Sequence, residues 1–173
     1  LQLSLNQIPI IMSILFVYFV PTFLIKFSSL NSVLLFLKKK LLSILIISSL
    51  FFLLLLISEP KPIGGGAIIK LFQLLNFNNF SLNIVVSFLG AIFFIYLISY
   101  FERKTFLFFL IMTVVFSTID IIFQEYFDPL TFIALNIIYN SKSLNKLQIH
   151  RYIHFSFVYY ILFLTNSIYF YNS

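Results

Sequence analysis

Long apolar runs, separated by short polar stretches, make up most of this chain. A helix of about 20 mostly apolar residues can cross the roughly 30 Å hydrocarbon core of a membrane. The runs predict six such helices, at Ile8–Ile25, Leu41–Ser58, Ser81–Tyr100, Thr105–Phe123, Tyr126–Tyr139 and Tyr152–Tyr171. No ten-residue stretch alternates apolar and polar residues as a barrel strand would. The predicted fold class is therefore all-α, a polytopic transmembrane helical bundle that forms a single domain over residues 1–173.

Residues inside the runs add detail to this prediction. Pro9 and Pro21 lie near the two ends of the first span, and the second span contains no charge. Gly90 in the third span marks a place where another helix is expected to approach closely. Asp120 interrupts the fourth span late, and the fifth span is short.

Two connecting segments are themselves moderately apolar. Phe27 to Leu37 ends in the Lys38–Lys40 cluster. It predicts either an interfacial helix held against anionic headgroups by its lysines, or an extension of the flanking helices. Ala67 to Phe80 follows three glycines and predicts a short helix on the membrane surface or dipping into it.

Composition supports a membrane protein. Of the 173 residues, 61% are hydrophobic and 9% are charged, and the mean hydropathy is +1.08. A soluble domain carries about 25% charged residues, so too little polar material remains to coat a globule. Soluble enzymes, nucleic-acid binders and disordered chains are thereby set aside. The expected partners are the lipid bilayer and other membrane proteins, with no nucleic acid.

The net charge of +6 is distributed unevenly along the predicted topology. If the first connection is cytoplasmic, nine basic residues lie in cytoplasmic segments: Lys26, Lys38, Lys39, Lys40, Arg103, Lys104, Lys142, Lys146 and Arg151. The opposite side holds Lys61 and Lys70. This is the asymmetry of the positive-inside rule. It predicts that both termini are exterior.

Residue usage bears on the source and the completeness of the chain. Asn, Lys, Ile and Phe are abundant, as in A/T-rich genomes, which suggests a bacterial inner membrane or an organellar membrane. The absence of cysteine excludes disulfides and a thiol nucleophile. The chain begins with Leu1 rather than Met, so it is expected to be a processed product or a fragment of a longer protein.

Acidic residues are the first candidates for chemistry, and most of them fall on the predicted exterior side. Asp120 is notable because an ionisable residue in a span is costly and usually faces a cavity or a partner. Glu125 and Asp128 are three residues apart, hence on one face of a helix that Pro129 would end. These three acids are either catalytic or a solvated helix end that complements the basic cytoplasmic side.

A second candidate is the loop after the second span, Ser58 to Gly66, which leads into a segment carrying Lys70. Successive backbone N–H groups of Gly64, Gly65 and Gly66 can converge on an anion, and Lys70 would add positive charge. Glu59 and Lys61 precede the glycines in this predicted substrate-binding loop. The alternative is a flexible bend made by prolines and glycines.

Residues 64–71 and the stretch Gln124 to Leu130 resemble the C-terminal part of GT-C type glycosyltransferases, which use polyprenyl-phosphate sugars. The second stretch is similar to a Glu-containing, Tyr-Phe-Pro region of dolichyl-phosphate-glucose-dependent glucosyltransferases. The resemblance implies a multi-span fold with chemistry on the exterior or lumenal face. Family members carry their catalytic acid in the first exterior loop, whereas no acid precedes Glu59 in this chain.

Two hypotheses follow. In the first, the chain is part of a membrane glycosyltransferase in which residues 64–70 hold the phosphate of a lipid-linked sugar. Asp120, Glu125 or Asp128 would then activate the acceptor hydroxyl or coordinate a divalent cation. In the second, the chain is a non-catalytic membrane subunit of a larger complex, such as an organellar respiratory assembly.

Overall fold

The computed structural model describes residues 4–27, 29–57 and 79–118, together with residues 154, 157–159, 161 and 165. The described residues form helices and short turns, with no strand among them. Four helices are bounded at both ends: α1 (Gln7–Lys26), α2 (Leu30–Ile57), α3 (Asn79–Tyr100) and α4 (Arg103–Phe116). The prediction of an all-helical protein is confirmed for this part of the chain.

Three of these helices are long and apolar enough to cross a membrane: α1, α2 and α3. They coincide with the first three predicted spans to within a few residues, apart from the N-terminal part of α2. The predicted fifth span lies outside the described residues. Of the sixth span, residues 154, 157–159, 161 and 165 are helical.

α4 has 14 residues and ends at Phe116, before the C-terminal boundary of the predicted fourth span at Phe123. It is about 21 Å long. Residues 119–123 of the predicted span lie outside the described residues. The hydroxyls of Ser117 and Thr118 donate to the carbonyls of Val114 and Val115, each at 2.7 Å. Such local bonds compete with continued helix.

The segment before Lys38–Lys40 is part of α2, so the structure favours the extension over a separate interfacial helix. α2 starts with a reciprocal cap, in which Ser32 N–H donates to Ser29 Oγ and Ser29 N–H donates to Ser32 Oγ, each at 3.3 Å. This arrangement satisfies backbone donors that a helix start leaves open. The helix then runs through the lysines without a break for 28 residues, about 42 Å.

Ring contacts give the directions of the helices. Phe19 and Phe23 of α1, and Phe27 directly after it, meet Phe93, Tyr96 and Tyr100 of α3 in the same order, at centroid distances of 5.7, 5.1 and 5.3 Å. α1 and α3 are therefore parallel. α2 is antiparallel to both, because Phe36 lies 5.6 Å from Tyr100 whereas Phe52 lies 5.4 Å from Phe80. α4 is antiparallel to α1, since Phe109 meets Phe19 and Ser117 O accepts from Ser4 N–H.

Burial is shared unequally among the helices. In α1, 72% of the candidate membrane span is buried within the protein, compared with 17% in α2. α1 is apolar all round and lies at the centre, as expected for a helix with no polar face. α2 leaves most of its leucines and isoleucines exposed along its length. Apolar exposure on this scale is suited to lipid rather than to water.

Helices approach each other closely at Gly90, as its sequence context predicts. A Cβ at this position would lie 2.9 Å from the carbonyl oxygen of Pro9 and 3.3 Å from both Met12 Cβ and Phe51 Cδ2. A side chain would therefore push against the backbone of α1 and a ring of α2. The absence of a side chain lets three helices meet at one level.

Pro21 lies inside α1 and is fully buried. It has no N–H, so it cannot donate to the carbonyl of Val17, which is its helical partner four residues earlier. The hydroxyl of Tyr159 donates to that carbonyl at 2.7 Å. A residue from the C-terminal part of the chain thus supplies the hydrogen bond that the proline removes, as apolar surroundings require.

Buried hydroxyls in the helices bond to their own backbone. Ser13, Thr22, Ser87 and Thr113 each donate to a carbonyl three or four residues earlier, at 2.6–2.8 Å. These side chains therefore enter the core without leaving their hydroxyl donors unsatisfied.

Candidate functional site

The residues predicted to carry chemistry lie outside the described part of the chain. This holds for the three acids Asp120, Glu125 and Asp128, and for the loop residues Glu59, Lys61, Gly64, Gly65, Gly66 and Lys70. Their predicted roles, including a divalent cation or a lipid-linked sugar as ligand, stay predictions.

The structure does place the helix ends that lead to these residues. α2 ends at Ile57, just before the predicted loop, and α3 begins at Asn79, just after it. The Phe52–Phe80 contact holds these two ends together. α4 ends near Ser4, which precedes α1, and α1 and α3 are parallel. Both predicted site segments therefore leave the described bundle at the same end.

The opposite end of the bundle holds a pocket of about 620 Å³, formed where the C-terminal ends of α1 and α3 meet the N-terminal part of α2. Its polar lining comprises Lys26, Ser32, Lys39, Lys40, Ser99 and Tyr100. Phe27, Leu35, Phe36 and Ile98 complete the wall. This volume falls within the range of small-molecule sites.

Local sequence explains how these groups meet. Lys26 closes the last turn of α1, where a positive charge interacts favourably with the helix dipole. The Ser29–Ser32 cap reverses the chain immediately afterwards. Lys39 and Lys40 lie two and a half turns into α2 and come back to the level of Tyr100.

Aromatic packing fixes the base of the pocket. Phe27 contacts Phe36 at 5.0 Å and Tyr100 at 5.3 Å, and Phe23 contacts Phe27 at 4.9 Å. Such pairs contribute about 0.5–1.5 kcal/mol each beyond the area they bury. Because these rings join α1, α2 and α3, the three helix ends are held in a defined arrangement.

The electrostatic character of the pocket is strongly positive. Lys26 and Lys40 are half-buried and Lys39 is exposed. The Lys26 ammonium lies 5.7 Å from the centre of the Tyr100 ring, an arrangement that holds the cation over the ring face. Within the described residues, Glu102 is the one acidic side chain, and it is exposed and outside the pocket lining. Three lysines thus line the pocket, and its lining contains no carboxylate.

The sequence did not predict this pocket, although it drew attention to several of its residues. Lys26 and Lys38–Lys40 indicated the cytoplasmic side, and Tyr100 marked the end of the third predicted span. In the structure, Lys39 and Lys40 line the pocket while Lys38 does not. The helical spacing of the cluster was a usable signal, because adjacent residues in a helix point in directions about 100° apart.

The described residues contain no group of three or more His, Cys, Asp or Glu side chains that would hold a metal ion. Lysine ammonium groups and a phenol are donors, which suit a phosphate or another anion. Comparisons with protein-family models, with curated proteins and with solved structures find no match to this chain.

Proposed function

We propose that this chain is an integral membrane protein of six spans that forms part of a glycosyltransferase, transferring a sugar from a polyprenyl-phosphate donor on the exterior or lumenal face. The observation that carries the proposal is the shared end of the bundle. The segment from Ser58 to Asn78 and the segment from Ile119 onward both depart from it, so a common site for their residues is topologically allowed.

In this proposal the ends of the bundle have different roles. Lys26, Lys39 and Lys40 mark the cytoplasmic end, in accordance with the positive-inside rule. The opposite, exterior end carries the acids and the glycine-rich loop. Asp120, Glu125 or Asp128 would take the proton of the acceptor hydroxyl, and Gly64–Gly66 with Lys70 would hold the donor phosphate. The host is a bacterial inner membrane or an organellar membrane.

Cross-linking tests whether the two segments converge. A Gly65→Cys/Glu125→Cys pair is introduced into this cysteine-free chain and oxidised in membranes, with Lys39→Cys/Glu125→Cys as the matched control. We expect a disulfide in the first pair alone, since a disulfide requires Cα atoms within about 7 Å. Failure of the first pair to cross-link would reject the combined site.

Activity tests the role of the acids. Asp128→Asn and Glu125→Gln keep side-chain size and remove the charge. In the full-length protein, loss of a general base should lower the rate of sugar transfer by about 10²–10⁴-fold. Unchanged transfer by both variants would reject a catalytic role for this pair.

A second function is favoured by the surface of α2. Its exposed leucines and isoleucines form an apolar face that the described helices leave uncovered. In a non-catalytic subunit of a membrane complex, part of this face would contact another protein instead of lipid. Accessibility of α2 to oxygen shows whether this face contacts lipid or protein.

A further inference from the structure

We propose that the pocket between the ends of α1, α2 and α3 binds the phosphate-bearing headgroup of an anionic membrane phospholipid. The inference concerns the end of the bundle opposite the C-terminal end of α4 and does not depend on sugar transfer. It rests on the charge of the pocket, its surroundings and its shape.

Charge is the first argument. Lys26, Lys39 and Lys40 come from two helices and line one cavity, together with Ser32, Ser99 and Tyr100. The Ser32 hydroxyl donates to the Ser29 carbonyl at 2.7 Å, so its proton is not offered to a ligand. Three positive charges in one lining repel each other, and a bound anion reduces this repulsion. A phosphate accepts several charge-assisted hydrogen bonds at once and so matches this set of donors.

The apolar part of the wall favours a lipid over a free phosphate ion. Ile98 lines the pocket and is 53% exposed. Directly after the lysines, Leu41 and Leu42 begin an exposed apolar surface along α2 toward the middle of the membrane. A phospholipid satisfies both regions, because its headgroup meets the lysines while its acyl chains cover the leucines.

The position of the pocket along α2 also favours a phospholipid headgroup as its ligand. The lysines lie where α2 passes from its N-terminal extension into a continuous apolar run from Leu41 to Ile57. That transition is where a helix crosses from the headgroup layer into hydrocarbon. The pocket volume of 620 Å³ is larger than a phosphate ion needs and can accommodate a phosphodiester with its polar substituent.

Lipid-dependent thermal stability provides the test. The full chain is purified in a zwitterionic detergent, and its unfolding midpoint is measured while phosphatidylglycerol, phosphatidylcholine or inorganic phosphate is titrated in. A ligand that binds the folded state alone raises the midpoint, and the rise grows with the logarithm of its concentration relative to its Kd. We expect phosphatidylglycerol to raise the midpoint, with phosphatidylcholine and millimolar inorganic phosphate having little effect.

The chain offers a matched control for the lysines. The pocket variant is Lys26→Gln/Lys39→Gln/Lys40→Gln, and the control variant is Lys38→Gln/Arg103→Gln/Lys104→Gln. Each removes three positive charges at the same end of the bundle, but the control residues are exposed and outside the lining. The pocket variant should bind phosphatidylglycerol at least roughly tenfold more weakly, while the control binds like the parent chain.

Several outcomes would overturn the proposal. Equal losses in the two variants would show that general surface charge, and not the pocket, attracts the lipid. Equal stabilisation by inorganic phosphate would assign the pocket to a free anion. A Lys39→Arg/Lys40→Arg variant keeps the charge and provides a second test if the glutamine variant misfolds. A tenfold loss of phosphatidylglycerol binding in this variant would contradict recognition by charge.

Discussion

At the scale of single residues, the hydrogen bond between Tyr159 and Val17 shows how this fold handles a proline in a buried helix. Pro21 would normally leave the Val17 carbonyl without a donor in apolar surroundings, at a cost of several kcal/mol. The Tyr159 hydroxyl occupies the place of the missing N–H. The C-terminal part of the chain is thereby joined to the central helix at its proline.

This assignment predicts a specific coupling between the two positions. Tyr159→Phe should lower the free energy of unfolding in detergent by about 0.6–2 kcal/mol, because it removes a hydrogen bond between helices. In the Pro21→Ala background the backbone N–H of residue 21 returns to the Val17 carbonyl, so the same substitution should cost much less. Denaturant titrations of the four chains of this double-mutant cycle measure the difference.

An equal cost of Tyr159→Phe in both backgrounds would contradict this assignment. The tyrosine would then stabilise the fold through packing alone, since phenylalanine retains the ring and the cycle isolates the hydroxyl. The Pro21→Ala chain by itself is the control for changes in the shape of α1.

At the scale of helices, α2 buries one of its faces in the bundle and leaves the other face exposed. Ile44 and Leu55 point inward and are 1% and 2% exposed, whereas Ile46 and Leu53 point outward and are 61% and 54% exposed. All four side chains are apolar, so no amphipathic pattern in the sequence separates the two faces of α2. The faces differ because one of them packs against α1 and α3.

Spin labels on single cysteines can measure this difference, because the parent chain has no cysteine. In membranes, labels at positions 46 and 53 should collide often with oxygen, which dissolves in hydrocarbon, and rarely with a water-soluble nickel complex. Labels at positions 44 and 55 should be shielded from both.

Frequent collision of the outward labels with nickel would contradict a membrane-embedded α2. Low collision with both reagents at positions 46 and 53 would show that protein covers this face, which is the result expected of a subunit docked through α2. The oxygen measurement thus distinguishes an α2 that faces lipid from an α2 that is covered by protein.

At the scale of the whole molecule, the two ends of the bundle differ in the residues that they carry. Lys26, Lys39, Lys40 and Tyr100 meet at one end, and Arg103 follows directly from the short connection after α3. Ser4 and Ser117 meet at the other end, about one helix length away. If α1 crosses a membrane, as its length and apolar composition allow, the two groups lie on opposite sides of it.

Labelling with an impermeant thiol reagent tests this arrangement in intact cells. Cysteine at position 5 should react from outside, whereas cysteine at positions 39 and 104 should react after permeabilisation alone. Leu5, Lys39 and Lys104 are exposed, so access to the reagent is limited by the membrane rather than by packing.

The possible failures of this experiment have different meanings. Labelling of positions 39 and 104 from outside, with position 5 protected, would reverse the orientation and keep the bundle. Labelling of positions 5 and 39 from the same side would contradict the bundle itself, because α1 separates them.

The helices near the N-terminus could be predicted from sequence because a long apolar run has few alternatives in a membrane. Backbone groups must pair within the segment, so each run becomes a helix whatever its neighbours are. Gly90 could be interpreted for a similar reason, since a lone glycine within a helix commonly marks a close contact. The end of α4 was missed because apolar residues continue past Ser117 and Thr118, whose hydroxyls bond locally.

The sequence by itself therefore determined the helical class, the first three apolar helices and the grouping of basic residues near their ends. The tertiary structure decided which face of each helix is buried, that α1 is central, and that Lys39 and Lys40, but not Lys38, join Lys26 in one pocket. It also decided that Tyr159 bonds to the carbonyl opposite Pro21. The physical reason is that helices that are apolar on all sides carry no local signal for their neighbours, so packing alone selects the partners.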